Sequence, residues 1–156
     1  MNRSRLVSIS GNSGPFENAR NALAGLDLTA LKNKSVLIKP TIGRAATVGA
    51  GHNTHPQAIA GVTDMVMSAG ASRIAIGESP LVGIDTMEAF KKGGITGVAE
   101  RYGVELLDLD AFQPMKVDIP DGRVLSSTKV CSPIKEFDLI ISVPVAKTHM
   151  HTGVTL

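Results

Sequence analysis

The chain has 156 residues, of which 43% are hydrophobic, 3% aromatic and 19% charged, and its formal net charge is +2. This size predicts a single globular domain over residues 1–156 that can bury a core without disulfides or a structural metal. The small net charge and the scarcity of aromatic side chains argue against nucleic acid or a membrane surface as a partner. The basic N-terminus is followed by an apolar run of only five residues, too short for a signal peptide or a membrane span.

One cysteine, Cys131, is present, so no disulfide can form within the chain. This favours a reducing compartment, and we expect a cytoplasmic protein. An iron–sulfur cluster ligated by this chain alone is excluded, because such clusters normally need four thiolates.

Short, β-branched apolar runs bounded by turn residues recur along the chain and predict buried parallel strands. These runs are Leu6–Ser10, Ser35–Lys39, Arg73–Gly77, Glu105–Leu109 and Leu139–Val145. Helical patterns alternate with them at about 15–26, from residue 56 onward, at 85–92 and near 95–102. The alternation predicts a three-layer α/β fold, with a mostly parallel (mixed) sheet and helices on both faces.

Proline and glycine support these helix boundaries. Pro15 and Pro56 suit a first helical turn, where an amide is not needed, and Gly70 and Gly103 suit a left-handed stop. Between residues 115 and 130 the alternation is interrupted by two extended segments that flank Pro120-Asp121-Gly122-Arg123. We predict a β-hairpin excursion there.

Three glycine-rich turns are candidates for binding an anion, and one of them, Gly77-Glu78-Ser79-Pro80, closes a predicted strand. The turn after the first predicted strand carries Gly11 and Ser13 directly before a helix, where exposed amides could meet a phosphate or carboxylate; an ordinary tight connection explains the same residues. The loop of about fifteen residues after Lys39-Pro40 carries Arg44, His52 and His55. Loops of this length in compact domains are usually binding loops, lids or disordered segments.

Charged and hydroxyl side chains follow several of the predicted strands. Lys39, Glu78 with Ser79, and Lys147 each stand at or just after a strand, and parallel strand ends meet at one edge of a sheet. A lysine there can hold an anion or act as a base, and a carboxylate can orient it or take a proton. A plain Lys–Glu ion pair is the alternative for Glu78.

The histidines occur in two pairs, His52 with His55 and His149 with His151. We predict His149, His151 and His55 as candidate ligands of a divalent metal, completed by carboxylates such as Asp108 or Asp110. The spacing permits a metal site without specifying one, and Asp110 could equally cap the turn at Ala111.

Several segments, in this order, resemble the domain-of-unknown-function family 362. The similarity covers roughly residues 36–156 and rests on Val36–Pro40, Thr54–Pro56, Ala69–Ala71, Gly77–Pro80, Phe137–Pro144, Lys147–His149 and Thr152–Thr155. Thr41 stands where the family pattern has Asn, and the pattern continues beyond Gly153-Val154-Thr155. The resemblance implies an N-terminal portion of a longer family domain, associated in many members with a ferredoxin-like iron–sulfur module.

We therefore expect an α/β protein that binds a small anionic ligand, a cofactor or a metal at its strand ends, as the substrate half of a redox-linked enzyme. Lys39, His55, Glu78, Lys147 and His149 are the candidate catalytic residues. The candidate cofactor contacts are Gly11, Ser13, Arg44, Ser79, Thr148, Thr152 and Gly153. The alternative is a non-catalytic assembly module completed by a partner chain or an electron-transfer protein. The sequence also leaves open whether the protein forms a homo-oligomer.

Overall fold

The structure is a computed structural model that describes residues 6–149 and 151–155. The helices are α1 (Pro15–Ala24), α2 (Pro56–Ser68), α3 (Thr86–Lys92) and α4 (Ile95–Tyr102). The strands are β1 (Ser35–Pro40), β2 (Arg73–Glu78), β3 (Glu105–Asp108), β4 (Pro114–Asp118), β5 (Ser127–Cys131), β6 (Leu139–Val143), β7 (Lys147–His149) and β8 (Gly153–Thr155).

The main sheet has the strand order β3-β2-β1-β6, and every neighbouring pair in it is parallel. The hairpins β4–β5 and β7–β8 are antiparallel and form two separate sheets. The predicted α/β fold is confirmed, and so is the hairpin near residues 115–130. Because the main strands are all parallel, the carboxyl ends of β1, β2, β3 and β6 lie at one edge of the sheet.

The core has two parts, one on each face of this sheet. Val36 and Ile38 of β1 face the four α-helices, whereas Leu37 faces the opposite side, and all three are fully buried. The opposite side is covered by Leu109, Phe137 and neighbouring residues of short 3-10 segments at 109–111 and 132–136. Burial on both faces explains why the sequences of the central strands β1 and β2 are nearly continuous apolar runs.

Glycine lets α1 and α2 approach closely. A Cβ atom at Gly61 of α2 would lie 2.5 Å from the carbonyl oxygen of Phe16, so any side chain there would push the two helices apart. The predicted left-handed stops are confirmed, since Gly70 and Gly103 have φ values of +83° and +63°.

The predicted strand at Leu6–Ser10 is wrong: these residues belong to no strand, and Ile9 is 91% exposed. The segment runs beside α1, where Ser10 Oγ donates to Asn18 Oδ1 at 3.4 Å. The outer edge of β6 is unpaired in the described residues, but the side chains of Leu6, Val7 and Ile9 are all exposed, so this run lacks the side-chain burial that stabilises a strand.

The amino end of the sheet is held by polar contacts. Asp138 accepts hydrogen bonds from the Ser35 amide at 2.9 Å and the Ser35 hydroxyl at 2.8 Å, and from Lys34 Nζ at 3.2 Å. These bonds lower the pKa of the Asp138 carboxyl to about 2. They tie the start of β1 to the start of β6.

Among the described residues, none of the helices has both the length and the apolar character that crossing a membrane requires.

Candidate functional site

The carboxyl edge of the sheet is organised around Glu78, the last residue of β2. Its Oε1 accepts from Lys39 Nζ at 2.7 Å and from the Ser79 amide at 2.9 Å, and its Oε2 accepts from the Ile42 amide at 3.1 Å. Glu78 is only 4% exposed, whereas the Lys39 side chain is 42% exposed. The carboxylate is therefore fixed, and the ammonium keeps a side that is open to solvent.

The ends of β2 and β3 are joined by a second set of hydrogen bonds. Ser79 Oγ donates to Asp110 Oδ1, and Asp108 Oδ1 accepts from Thr86 Oγ1 at 2.7 Å and from the Asp110 amide at 3.0 Å. Asp108, rather than Asp110, caps the 3-10 segment. The Asp110 carboxylate instead accepts from Ser79. Because Ser79 directly follows Glu78 in the chain, this hydroxyl–carboxylate pair lies beside Glu78.

Both ends of the loop at residues 41–55 are tied to the carboxyl edge. Thr54 Oγ1 accepts from the Thr41 amide at 2.9 Å and donates to the Val143 carbonyl of β6 at 2.6 Å. The Thr41 hydroxyl accepts from the Val145 amide at 3.4 Å. Thr54 is 4% exposed. Sequence reasoning did not identify the roles of Ile42 and Thr54; the only signal was their position at the two ends of one loop.

The residues after β6 form a tight hairpin. Lys147 pairs with Thr155 and His149 with Gly153 across β7 and β8. His149 Nδ1 accepts from the amides of His151 at 3.2 Å and Thr152 at 3.3 Å, which closes the turn. The Thr152 hydroxyl donates to the carbonyl of Val154 at 2.9 Å. Thr148 is exposed.

Two of the histidines, His55 and His149, use one ring nitrogen in local structure. His55 is the N-cap of α2, where its Nδ1 accepts from the Gln57 amide at 3.2 Å. Because Nδ1 accepts in both His55 and His149, neutral rings carry their proton on Nε2, which then acts as a donor. A donor nitrogen suits an anion, and it could bind a metal only after losing that proton.

The histidine metal site stays a prediction. The rings of His149 and His151 lie 5.8 Å apart between centroids. Within residues 6–149 and 151–155, no group of three or more His, Cys, Asp or Glu side chains is arranged to hold a metal ion.

Other predicted site residues lie apart from Glu78. Gly11 and Ser13 are exposed, the Ser13 carbonyl accepts from Asn18 Nδ2 at 2.8 Å, and no described hydrogen bond links this turn to Lys39. Arg44 is exposed on the loop at 41–55. The structure thus joins Lys39, Glu78 and Ser79 by direct hydrogen bonds.

Cys131 lies near the same edge but does not have the character of a nucleophile. Burial raises the pKa of its thiol, and although the nearby charge of Lys39 opposes this, the charges of Asp110 and Glu78 reinforce it. A thiol with a raised pKa carries little thiolate at neutral pH. The packing of Cys131 against the core cluster that includes Leu37 accounts for its position.

A surface cavity of about 350 Å³ lies at the opposite, amino edge of the sheet, where Arg73, Gly103 and Glu105 contribute to its lining. Arg73 is paired with Glu105 at 2.8 Å and Glu136 at 3.4 Å, and its guanidinium lies 4.6 Å from the ring centroid of Phe137. The charged groups there already satisfy one another, so the cavity is a weaker candidate than the edge at Lys39.

Comparisons with known proteins identify the family of this chain but no individual protein that is similar to it. A search of curated proteins and a search of solved structures each found no match. The model of a domain of unknown function, DUF362, matches residues 36–156, so the chain belongs to the DUF362 family.

Proposed function

We propose that the carboxyl edge of the sheet binds a small molecule through a phosphate or carboxylate group, with Lys39 as the main charged contact. The observation that carries this proposal is the bond between half-exposed Lys39 and buried Glu78. An ammonium group has three donors, and in the described residues Lys39 uses one of them on Glu78.

Glu78 gives Lys39 a fixed position instead of consuming its charge in a closed pair. Two backbone amides already hold the carboxylate, so it does not depend on Lys39 alone for its hydrogen bonds. A lysine that is oriented in advance loses less side-chain entropy when a ligand binds. In this proposal Glu78 is a positioning residue and Lys39 is the contact residue.

The hairpin of β7 and β8 supplies the second set of proposed contacts. It begins four residues after the end of β6, the neighbour of β1. Lys147 adds positive charge, and His149 offers an Nε2 donor because its Nδ1 is occupied. A neutral imidazole N–H donates a hydrogen bond without giving up its proton, so Nε2 would stabilise negative charge that develops on a bound ligand, which is the link between binding and catalysis that we propose.

The test is isothermal titration calorimetry with pyrophosphate and with citrate on the wild-type protein, Lys39→Met and Lys116→Met. Lys116 lies on the β4–β5 hairpin with a 69% exposed side chain, so its substitution controls for loss of one positive charge. We expect Lys39→Met to weaken binding of at least one anion tenfold or more, and Lys116→Met to leave it unchanged. Equal affinities in the two variants, or no binding to the wild type, would refute the proposal.

A second candidate function, an assembly module completed by a partner chain, is favoured by the edge strand β6. Its outer side is unpaired in the described residues, it contains no charged residue, and Ile140 is 46% exposed. Exposed apolar edge strands are usually protected by charge, proline or covering structure. Light scattering of the wild type and Ile140→Lys tests it: association that the substitution abolishes supports the module, and a monomeric wild type counts against self-association.

A further inference from the structure

Residues 43–53, which we call the strap, cross the carboxyl edge between two fixed ends. At one end the Ile42 amide is bound to Glu78, and at the other the Thr54 hydroxyl is bound to the carbonyl of Val143. Ile42 is fully buried and Thr54 nearly so, whereas residues 47–52 between them are exposed. The middle of the strap, residues 47–52, is therefore exposed between two anchors that belong to the site itself, whereas its first residues are held, because the Gly43 carbonyl accepts from the Leu81 amide at 3.3 Å and Ala45 packs against the core.

The strap contains positions that favour a change of conformation. Gly49 and Gly51 have φ values of +89° and +74°, and a Cβ atom at either would meet open space. Neither residue is held by packing. Glycine in these positions allows the backbone to rotate at little steric cost.

Asn53, the last residue of the strap, is incompletely satisfied. Its Nδ2 donates to the carbonyl of Arg44 at 2.8 Å, which fixes the orientation of the amide. Its Oδ1 is buried and has no hydrogen-bond donor among the described residues. A buried acceptor without a donor carries a free-energy penalty, so a rearrangement that supplies a donor is favoured.

Arg44 is the charged residue at the Lys39 end of the strap. It is exposed, and its guanidinium forms no ion pair within the described part of the chain. Its planar donor groups match the oxygens of phosphate and carboxylate.

We propose that the strap closes over a phosphate or carboxylate group bound at Lys39 and that Arg44 becomes a second contact to that group. This inference rests on the proposed function. The anchors at Ile42 and Thr54 keep the ends of the strap at the edge while the glycines permit the middle to move. Closure would exclude water from the anion and strengthen its interaction with Lys39.

Limited trypsin digestion with mass spectrometry tests this closure, because trypsin cuts after Arg44 in the strap and after Arg123 in the connection of the separate β4–β5 hairpin. Both residues are exposed. Initial cleavage rates at the two sites would be measured with and without saturating pyrophosphate, in the wild type and in Lys39→Met. We expect pyrophosphate to slow cleavage at Arg44 at least tenfold in the wild type, with no change at Arg123 and no protection in Lys39→Met.

The outcomes separate this inference from the proposed function. Calorimetric binding that depends on Lys39, combined with an unchanged cleavage rate at Arg44, would overturn the strap closure and leave the anion site standing. Absence of calorimetric binding would overturn both. Equal protection at Arg44 and Arg123 would indicate global stabilisation and would also overturn the closure.

Discussion

Replacing Glu78 with alanine should destabilise the protein far more than the loss of an ordinary ion pair. The Ile42 amide is buried and would lose its acceptor, a change that costs about 1–3 kcal/mol. Loss of the half-exposed pair with Lys39 adds roughly 0–1 kcal/mol after allowance for solvent screening. Ser79 is exposed, so water can replace the bond to its amide.

These contributions add to about 1–4 kcal/mol for Glu78→Ala, which corresponds to a fall in Tm on the order of 2–16 °C for a domain of this size. Glu78→Gln should cost less, because its amide oxygen still accepts one of the bonds. The assay is urea and thermal unfolding followed by circular dichroism.

Glu88→Ala is the matched control. Glu88 pairs with Lys92 at 2.7 Å, the same distance as between Glu78 and Lys39, but the side chains of Glu88 and Lys92 are both about half exposed. Its loss should cost about 0.3–0.5 kcal/mol, as is usual for such helical pairs. Equal destabilisation by Glu78→Ala and Glu88→Ala would refute the view that burial of Glu78 organises the edge.

Two further stability predictions use contacts elsewhere in the fold. Because the pKa of Asp138 is lowered, its contribution to the free energy of unfolding is present above the unfolded pKa near 3.8 and is lost as the pH falls toward about 2. The free energy of unfolding of Asp138→Asn should therefore lack this loss over that pH range, whereas that of Asp118→Asn should retain it. Gly61→Ala in α2 should destabilise the protein, because the new Cβ would meet the carbonyl oxygen of Phe16. Gly97→Ala in α4 has open space around the new Cβ, so it should stabilise the protein by up to about 1 kcal/mol. Denaturant melts that rank the two glycine variants in the opposite order would contradict this packing.

The parallel sheet was predictable because its central strands, β1 and β2, are buried on both faces. Val36, Leu37 and Ile38 are consecutive apolar residues and all lie in the core, so the sequence pattern and the structure report the same burial. Helix α2 was predictable from Pro56 at its first turn. The segment at Leu6–Ser10 shows the limit, since this run forms no strand although its sequence resembles one, and the sequence pattern does not reveal whether its side chains will be buried.

The site was predictable only in part, because a strand-end position does not specify its partners. Lys39 and Glu78 could be placed at one edge from the strand pattern alone. The bonds from the Ile42 and Ser79 amides to Glu78 depend on the path of the loops, which composition does not encode. The capping role of His55 was missed because a histidine in a loop gives no sign of which nitrogen it uses locally.

The most direct test of the central proposal is a titration of ¹⁵N-labelled protein with pyrophosphate, followed by amide chemical shifts in nuclear magnetic resonance. If the anion binds at Lys39, the saturable shifts will be centred on the amides of Ile42 and Ser79, which share the Glu78 carboxylate with Lys39. Shifts centred instead on Arg73 and Glu105 at the amino edge, or no saturable shifts at all, would contradict the proposal.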